Sequence, residues 1–377
     1  MSPVNPRSRS RLLPTGMIAL TAACAALAAC GAKPDAKAAT GKQSSTAANG
    51  EVANGAPPTP AVTHHGASTF LQVDSVHPHL VPGRNAHDSV SYYSAIRAGT
   101  RAVAHWPAWP APLAGSLLPD HRIVAFYGNP HSKKMGVLGE YPEQQMLSML
   151  DAKVAEWKKA DPSVPVIPAI HLVTVVAQGT AGADGGWRRR ENPQTIERAY
   201  QWAKSRNGLL FIDIQAGHST LQQELPLLLK YLQRPNVHLG IDPEFYMHYK
   251  REGVRPSAKV GQMMASDVNY AIQTLDKLVA DNHLPPKILI VHRFRADMVP
   301  DAESIHPTPR VQVVMDMDGW GPPWLKFDSY RDYIVAHPVE FTGFKLFFHN
   351  DVKGGDPILT PFEVLRLLPR PLYIQYQ

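Results

Sequence analysis

The sequence predicts an α/β fold, a (β/α)8 barrel of the TIM type that lacks a final helix. Two observations carry this prediction. Eight apolar runs recur along residues 121–377, and most are separated by stretches suited to helices. The runs are almost continuously hydrophobic, as parallel strands buried on both faces must be. No GxGxxG motif follows the first run, which argues against a doubly wound open sheet.

The elements alternate along the chain. The predicted strands are Arg122–Gly128, Pro165–Ala177, Leu209–Gln215, Val237–Phe245, Lys287–Phe294, Val311–Gly319, Phe341–Asp351 and Pro371–Tyr376. The predicted helices are Glu143–Lys159, Pro193–Arg206, Leu221–Leu232, Val260–Asp281, Tyr330–Ala336 and Pro361–Leu368. Since no helix follows the eighth strand, we expect Ser89–Val103, within a covering segment at 66–120, to close the groove between the seventh and first helices.

The beginning of the chain has the pattern of an export signal. Arginines at positions 7, 9 and 11 precede the apolar run Met17–Cys30, which is too short and too rich in alanine for a good membrane span. The last four residues of that run, Leu27 to Cys30, resemble the lipobox of bacterial lipoproteins. The resemblance implies a signal peptide at 1–29, lipid on Cys30 and a membrane anchor. In bacterial lipoproteins, an aspartate directly after the lipidated cysteine is associated with retention in the inner membrane. Gly31 occupies that position here, so we expect the outer membrane if the host has one.

Residues 30–65 are predicted to be a disordered tether, because Ala, Gly, Ser, Thr, Pro and Lys dominate and aromatic residues are lacking. Cleavage before Cys30 would leave one cysteine in the mature chain, so no disulfide is expected.

The net charge of +6 comes partly from the leader and tether. The sequence has no basic patch interleaved with aromatic residues, so we do not expect binding to nucleic acid. We expect a monomer.

Polar residues collect near the C-terminal ends of the predicted strands, where barrel active sites lie. Taking side chains two apart as sharing a face, the set is Tyr127, Asn129, Glu140, His171, Asp213, Gln215, His218, Asp242, Glu244, His292, Asp316, Asp318, Lys345, His349, Asp351 and Gln375. Any one of them could be a satisfied core group or, as at Asp318-Gly319, part of a turn. Charges are costly inside proteins, so their convergence at one rim indicates a site.

Two tryptophans on the loop after the sixth strand, Trp320 and Trp324, are candidates for stacking on sugar rings, with ordinary loop packing as the equal alternative. We also interpret Tyr127, Gln215, His292, Lys345 and Gln375 as substrate-binding residues. Together they predict a glycan-sized site at the barrel mouth.

The carboxylates predict glycoside hydrolysis, which uses one acid for the leaving oxygen and a second group as nucleophile, base or stabiliser. Glu244 is the expected acid, and Asp242 is expected to orient it and raise its pKa. Asp316, Asp318 or Asp213 could supply the second function. We expect neither a metal ion nor another cofactor.

The segment "DPE" at Asp242 resembles the fourth-strand motif of family 18 chitinases and family 25 lysozymes, and "MDMDGWG" is similar to the sixth-strand region of the chitinases. His238 and Gly240 depart from the chitinase pattern, and Tyr127 and Asn129 from the lysozyme pattern. From Arg122 onward the chain also resembles a group of secreted or lipid-anchored bacterial proteins of unassigned activity, through "YGNP", "DPEF", "LIVHRF", "MDGWG" and "YIQYQ". These resemblances imply a single barrel domain at 121–377.

The sequence therefore predicts an envelope-anchored glycosidase acting on a polysaccharide. Two alternatives remain at this point. One is a metal-dependent hydrolase with Asp213, Asp242, Glu244, His292 and Asp316 as ligands, although no spaced ligand motif such as HExxH occurs. The other is a surface lipoprotein that binds glycan without cleaving it.

Overall fold

The computed structural model describes residues 86–250 and 252–377. Within them, eight parallel strands close into a barrel, and one short strand pairs antiparallel outside it. The strands are β1 (Arg122–Gly128), β2 (Val166–Ala177), β3 (Arg188–Arg190), β4 (Leu209–Ile214), β5 (Val237–Ile241), β6 (Lys287–Arg293), β7 (Val311–Met317), β8 (Phe341–Leu346) and β9 (Tyr373–Tyr376). Because β1 pairs with both β2 and β9, the ring is closed, which confirms the predicted (β/α)8 fold.

The helices are shorter and more broken than predicted. They are α1 (Ala86–Ala104), α2 (Val137–Glu140), α3 (Glu143–Ala160), α4 (Pro193–Lys204), α5 (Leu221–Glu224), α6 (Leu229–Leu232), α7 (Ala265–Asn282), α8 (Pro323–Ser329) and α9 (Pro361–Val364). A 3-10 turn over Leu225–Leu228, with a proline at position 226, separates α5 from α6, and a π-helix over Tyr330–Val335 extends α8. The prediction of single helices over Leu221–Leu232 and Pro361–Leu368 was therefore wrong in extent.

The covering helix α1 lies elsewhere than predicted. Its Tyr92 ring is 5.1 Å from the ring of Phe327 on α8, and Ser94 accepts a hydrogen bond from Arg331 at 3.2 Å. Gly99 meets the chain after α9 so closely that a Cβ atom would lie 1.7 Å from the carbonyl oxygen of Leu368. Since α3 and α9 contact each other directly, α1 covers the sixth and seventh units of the barrel and not the groove between the seventh and first helices.

The interior of the barrel changes from apolar to polar along the strands. The inward residues of the lower layer include Ile123, Ala169, Phe211, Ile290 and Val314. The same strands carry polar or ionisable groups further toward their C-terminal ends: Tyr127, His171, Asp213, His292 and Asp316. Period-two alternation keeps these residues on the inner face. The apolar layer thus supports a polar layer directly above it.

No helix in residues 86–250 and 252–377 is long and apolar enough to cross a membrane. The predicted signal peptide, Cys30, the tether and residues 66–85 of the covering segment lie outside the described residues.

Candidate active site

A cavity of about 670 Å³ opens at the C-terminal ends of the strands. Seven of the residues predicted for the site line it: Tyr127, Gln215, Asp242, Glu244, Asp318, Trp320 and Lys345. They come from five different strands or from the loops that follow them. The cavity therefore joins groups that are far apart in sequence, as catalytic sites in such barrels do.

Asp242 and Glu244 both line the cavity, but not as neighbours on a strand. The strand β5 ends at Ile241, and Asp242 caps a 3-10 turn formed by Pro243–Phe245, its Oδ1 accepting a hydrogen bond from the Glu244 amide at 3.1 Å. The other oxygen of Asp242 accepts a hydrogen bond from Nε2 of Gln215 at 3.2 Å. The turn, and not strand alternation, aims Glu244 into the cavity.

Both carboxyl groups of this turn hold their protons more tightly than usual. Burial, reinforced by the charges of Asp213 and Asp318, raises the pKa of Asp242 to about 7. Burial together with Asp242 and Asp318 raises the pKa of Glu244 to about 8. Glu244 is thus a protonated carboxylic acid at neutral pH, while its side chain retains partial access to the cavity.

Asp318 is held in the opposite protonation state. Its Oδ1 lies 2.9 Å from Nζ of Lys345, which in turn lies 3.9 Å from the centre of the Tyr127 ring. Although burial opposes ionisation, Lys345 and His292 hold the pKa of Asp318 below its usual range. Of the three side-chain carboxyl groups in the cavity, Asp242 and Glu244 thus have raised pKa values and Asp318 a lowered one.

The other predicted acids lie beneath the cavity floor. Asp213 and Asp316 have no exposed surface and do not line the cavity, and the same holds for His292 and Gln375. Oδ2 of Asp213 lies 2.9 Å from Nε2 of His292 and 2.9 Å from Nε2 of His171. These residues form a connected buried group under the floor and have no direct path to a substrate.

The two imidazoles of this buried group titrate in opposite directions. Burial lowers the pKa of His171 to about 4. For His292 burial is outweighed by the facing carboxylates of Asp213, Asp316 and Asp318, which raise its pKa well above the usual value. Burial raises the pKa of Asp316 itself.

The two predicted tryptophans lie in different environments. Trp320 lines the cavity with 51% of its surface exposed, and Nζ of Lys353 lies 5.4 Å from the centre of its ring. Trp324 belongs to α8 and packs against His87 of α1, with ring centres 4.6 Å apart. Trp320 alone of the pair is placed to contact a ligand in the cavity.

Sequence reasoning missed Lys326, which also lines the cavity. It is buried, and its Nζ donates hydrogen bonds to the carbonyl oxygens of Gly319 at 2.7 Å and Lys345 at 2.8 Å, with Asp351 Oδ2 at 3.1 Å. It thereby ties the loop after β7 to the end of β8. A lysine in a short helix normally indicates a solvent-facing position, so the sequence contained no signal for this role.

No protein-family profile matches the sequence, and no curated protein matches it either. Among solved structures, a ruminal GH26 endo-beta-1,4-mannanase aligns with 81% of this chain at 12% identity and a TM-score of 0.30. The alignment spans 65% of the mannanase chain, which is less than two thirds of its length. The pairing of the eight strands into a closed ring defines the barrel fold.

Proposed function

We propose that this protein is a glycoside hydrolase that acts on a polysaccharide, with Glu244 as the general acid and Asp318 as the nucleophile or general base. The observation that carries the proposal is that Glu244 and the ion-paired Asp318 line one cavity, in surroundings that shift their pKa values in opposite directions. Glu244 is protonated at neutral pH, and Asp318 is paired with Lys345 at 2.9 Å. Glycoside hydrolysis requires one carboxylic acid to protonate the leaving oxygen and one carboxylate to act on the sugar carbon or on water.

The remaining cavity residues fit supporting roles. Asp242 fixes the turn that carries Glu244 and raises its pKa through its charge. Gln215 links Asp242 to the hydroxyl of Tyr127 at 3.1 Å. Trp320 offers an exposed aromatic face for a sugar ring, an arrangement that suits the apolar faces of carbohydrates.

The alternatives are weaker at this cavity. The residues expected as ligands of a metal-dependent hydrolase do not all lie together. Asp242 and Glu244 line the cavity, whereas Asp213, His292 and Asp316 lie beneath its floor. A protein that only binds glycan would need Trp320 but not two carboxyl groups in opposite protonation states. We therefore place hydrolysis first.

The test is a Glu244→Gln variant assayed for release of reducing ends from a panel of glucans, mannans and peptidoglycan. Glutamine keeps the shape but cannot give up a proton, so we expect at least about a hundredfold loss of kcat, the lower end for general acid catalysis. In the wild type, activity should fall as pH rises through the Glu244 pKa of about 8, because the acid is then ionised.

Glu340→Gln is the matched control. Glu340 is also buried with a pKa raised to about 8, but it lies beside the N-terminal end of β8, at the opposite end of the barrel from the cavity. Activity that persists in Glu244→Gln would remove Glu244 from the role of acid. Binding of a glycan by the wild type with no release of reducing ends would favour the glycan-binding alternative.

We also infer that the protein is exported and anchored to the cell envelope by lipid on Cys30, on the basis of its resemblance to the lipobox. Changing Cys30→Ser should move the protein from the membrane fraction to the soluble fraction, because a single lipidated residue would supply the anchor. Cys24→Ser is the control and should leave the distribution unchanged. Lipid labelling that continues in Cys30→Ser would contradict the assignment.

A further inference from the structure

Three potential metal ligands from three strands meet in the interior of the barrel. They are His171 on β2, Asp213 on β4 and His292 on β6, all without exposed surface. One ligand atom from each lies within 4.8 Å of the others, and each imidazole Nε2 is 2.9 Å from Oδ2 of Asp213. Bond lengths of about 2.0–2.2 Å to a shared ion separate ligand atoms by roughly 3 Å. We propose that these residues bind one divalent transition-metal ion.

The second nitrogen of each imidazole lies near an oxygen atom, as it does in metal sites, although Nδ1 of His292 makes no hydrogen bond among the described residues. Nδ1 of His292 lies 3.2 Å from Asp318 Oδ2 and 3.4 Å from Asp316 Oδ2. Nδ1 of His171 lies 2.5 Å from the hydroxyl oxygen of Tyr373 and 3.0 Å from Nε2 of Gln375, which also donates to that hydroxyl. In metal sites, an oxygen acceptor at one ring nitrogen fixes the other as the ligand. Both rings thus present Nε2 to the same point.

Unpartnered carboxylate oxygens provide a second, independent observation. Oδ1 of Asp213 and both side-chain oxygens of Asp316 have no hydrogen-bond partner among the described residues, and both residues have no exposed surface. Burying a polar atom without a partner is destabilising. A cation in contact with Asp213 would offset that cost, and Asp213 can offer it either oxygen.

The charges of the group also balance around a divalent ion. Three carboxylates, Asp213, Asp316 and Asp318, lie around His292, and Lys345 pairs with Asp318, while the nearby Lys326 is paired with Asp351. With both imidazoles neutral, as metal ligands must be, two negative charges are left. A divalent cation would neutralise them.

The ligand set indicates which ion. Two imidazole nitrogens and one carboxylate oxygen suit Zn²⁺ and similar transition ions better than Mg²⁺ or Ca²⁺, which prefer oxygen alone. Full burial beneath the floor gives the ion a structural role, tying β2, β4 and β6 together below the substrate cavity. The proposed site differs from the sequence-based expectation of a protein without a metal ion, and it does not rest on the proposed hydrolysis.

Zn²⁺ binding to the full chain, measured by calorimetry after dialysis against a chelator, tests the site. We expect one ion per wild-type chain, with affinity at least tenfold weaker in His171→Gln and in Asp213→Asn. Tyr373→Phe, which removes the partner of His171, should weaken binding by roughly 10–100-fold. His349→Gln is the control, because His349 is exposed and pairs with Glu140 at the surface. The histidines at positions 64, 65, 77 and 79 are present in every variant, so differences report on the buried group.

Co²⁺ titration of the wild type keeps the proposal testable if the triad variants do not fold. Co²⁺ held by two imidazoles and a carboxylate should give visible ligand-field absorption, and Zn²⁺ should displace it. The absence of such bands, or binding in the folded His171→Gln and Asp213→Asn variants as tight as in the wild type, would overturn the site. Neither readout depends on hydrolysis, so failure here leaves the role of Glu244 to its own test.

Discussion

At the scale of single residues, the structure gives different positions to two tryptophans for which the sequence predicted the same role. Trp320 is exposed in the cavity, so a Trp320→Leu variant should lose a stacking face for substrate. Aromatic contacts of this kind contribute about 0.5–1.5 kcal/mol, which corresponds to a rise in KM of roughly twofold to tenfold. Because the ring is not one of the reacting groups, kcat should change less than KM. Steady-state kinetics on a polysaccharide that the wild type cleaves gives both values.

Trp324→Leu is the matched control. Its ring packs against His87 of α1, so the substitution should lower the melting temperature and leave KM unchanged. Equal increases in KM for the two variants would contradict the placement of Trp320 as the residue that contacts substrate.

Asp242 and Glu244 show what residue patterns can and cannot provide. The convergence of charged strand ends correctly indicated the cavity, because ionisable groups are rarely buried in one place without a function. The alternation rule did not hold after Ile241, since Pro243 begins a 3-10 turn and Asp242 caps it. The register of the eight strands decides which acids reach the cavity and which lie under its floor. The spacing of residues along one strand does not show how deep each residue lies in the barrel.

At the scale of elements, the buried side chain of Glu224 forms ion pairs with the loop after β2. Glu224 has no exposed surface and accepts hydrogen bonds from Nε of Arg188 at 2.7 Å and Nε of Arg190 at 2.6 Å, both on the short strand β3. Ser219 also donates to it. This cluster holds β3 against α5 and the turn that precedes it.

Glu224→Gln should destabilise the protein strongly, because it leaves two arginines without their buried carboxylate. Breaking such a pair costs about 3–5 kcal/mol, which urea unfolding can measure. Glu197→Gln is the control: its pair with Arg234 is 2.9 Å long but both side chains are well exposed, so we expect a loss of less than about 1 kcal/mol. Similar losses in the two variants would argue against a structural role for the Glu224 cluster.

The helices mark the limit of prediction for elements. The long helix α3 matched its prediction to within one residue, because its periodicity is continuous over 18 residues. The segment Leu221–Leu232 has a helical pattern too, but Pro226 lacks an amide hydrogen and the helix breaks there. β3 was not predicted at all, since a run of three arginines has no strand signature; the strand pairs with β2, and Glu224 binds two of its side chains.

At the scale of the whole molecule, composition and periodicity were sufficient to predict the barrel. Eight buried parallel runs admit few other arrangements, and closure between β1 and β9 follows from their number. The placement of α1 was wrong because it depends on which helices leave an apolar surface open. The direct contact of α3 with α9 closes the expected groove, and α1 packs instead against α8 and the π-helix that extends it.

The stability of the whole barrel should depend on pH through acids that it keeps protonated. Burial raises the pKa of Glu244 and of Glu340, at opposite ends of the barrel, from 4.5 to about 8. Between those values each folded-state carboxyl holds a proton that the unfolded chain has released, so its contribution to stability falls as pH rises. Glutamine at either position does not titrate and removes that fall.

Glu244→Gln and Glu340→Gln should therefore match the wild type in free energy of unfolding near pH 4.5 and exceed it increasingly up to about pH 8. Since one pKa unit corresponds to about 1.4 kcal/mol, we expect a gain of roughly 2 kcal/mol or more for each at pH 8. The two gains should add in the double variant, because the sites share no partners. Urea unfolding of the four proteins across this range measures the differences. A gain that is constant with pH would mean that the glutamines act through packing and that the two acids are ionised in the folded protein.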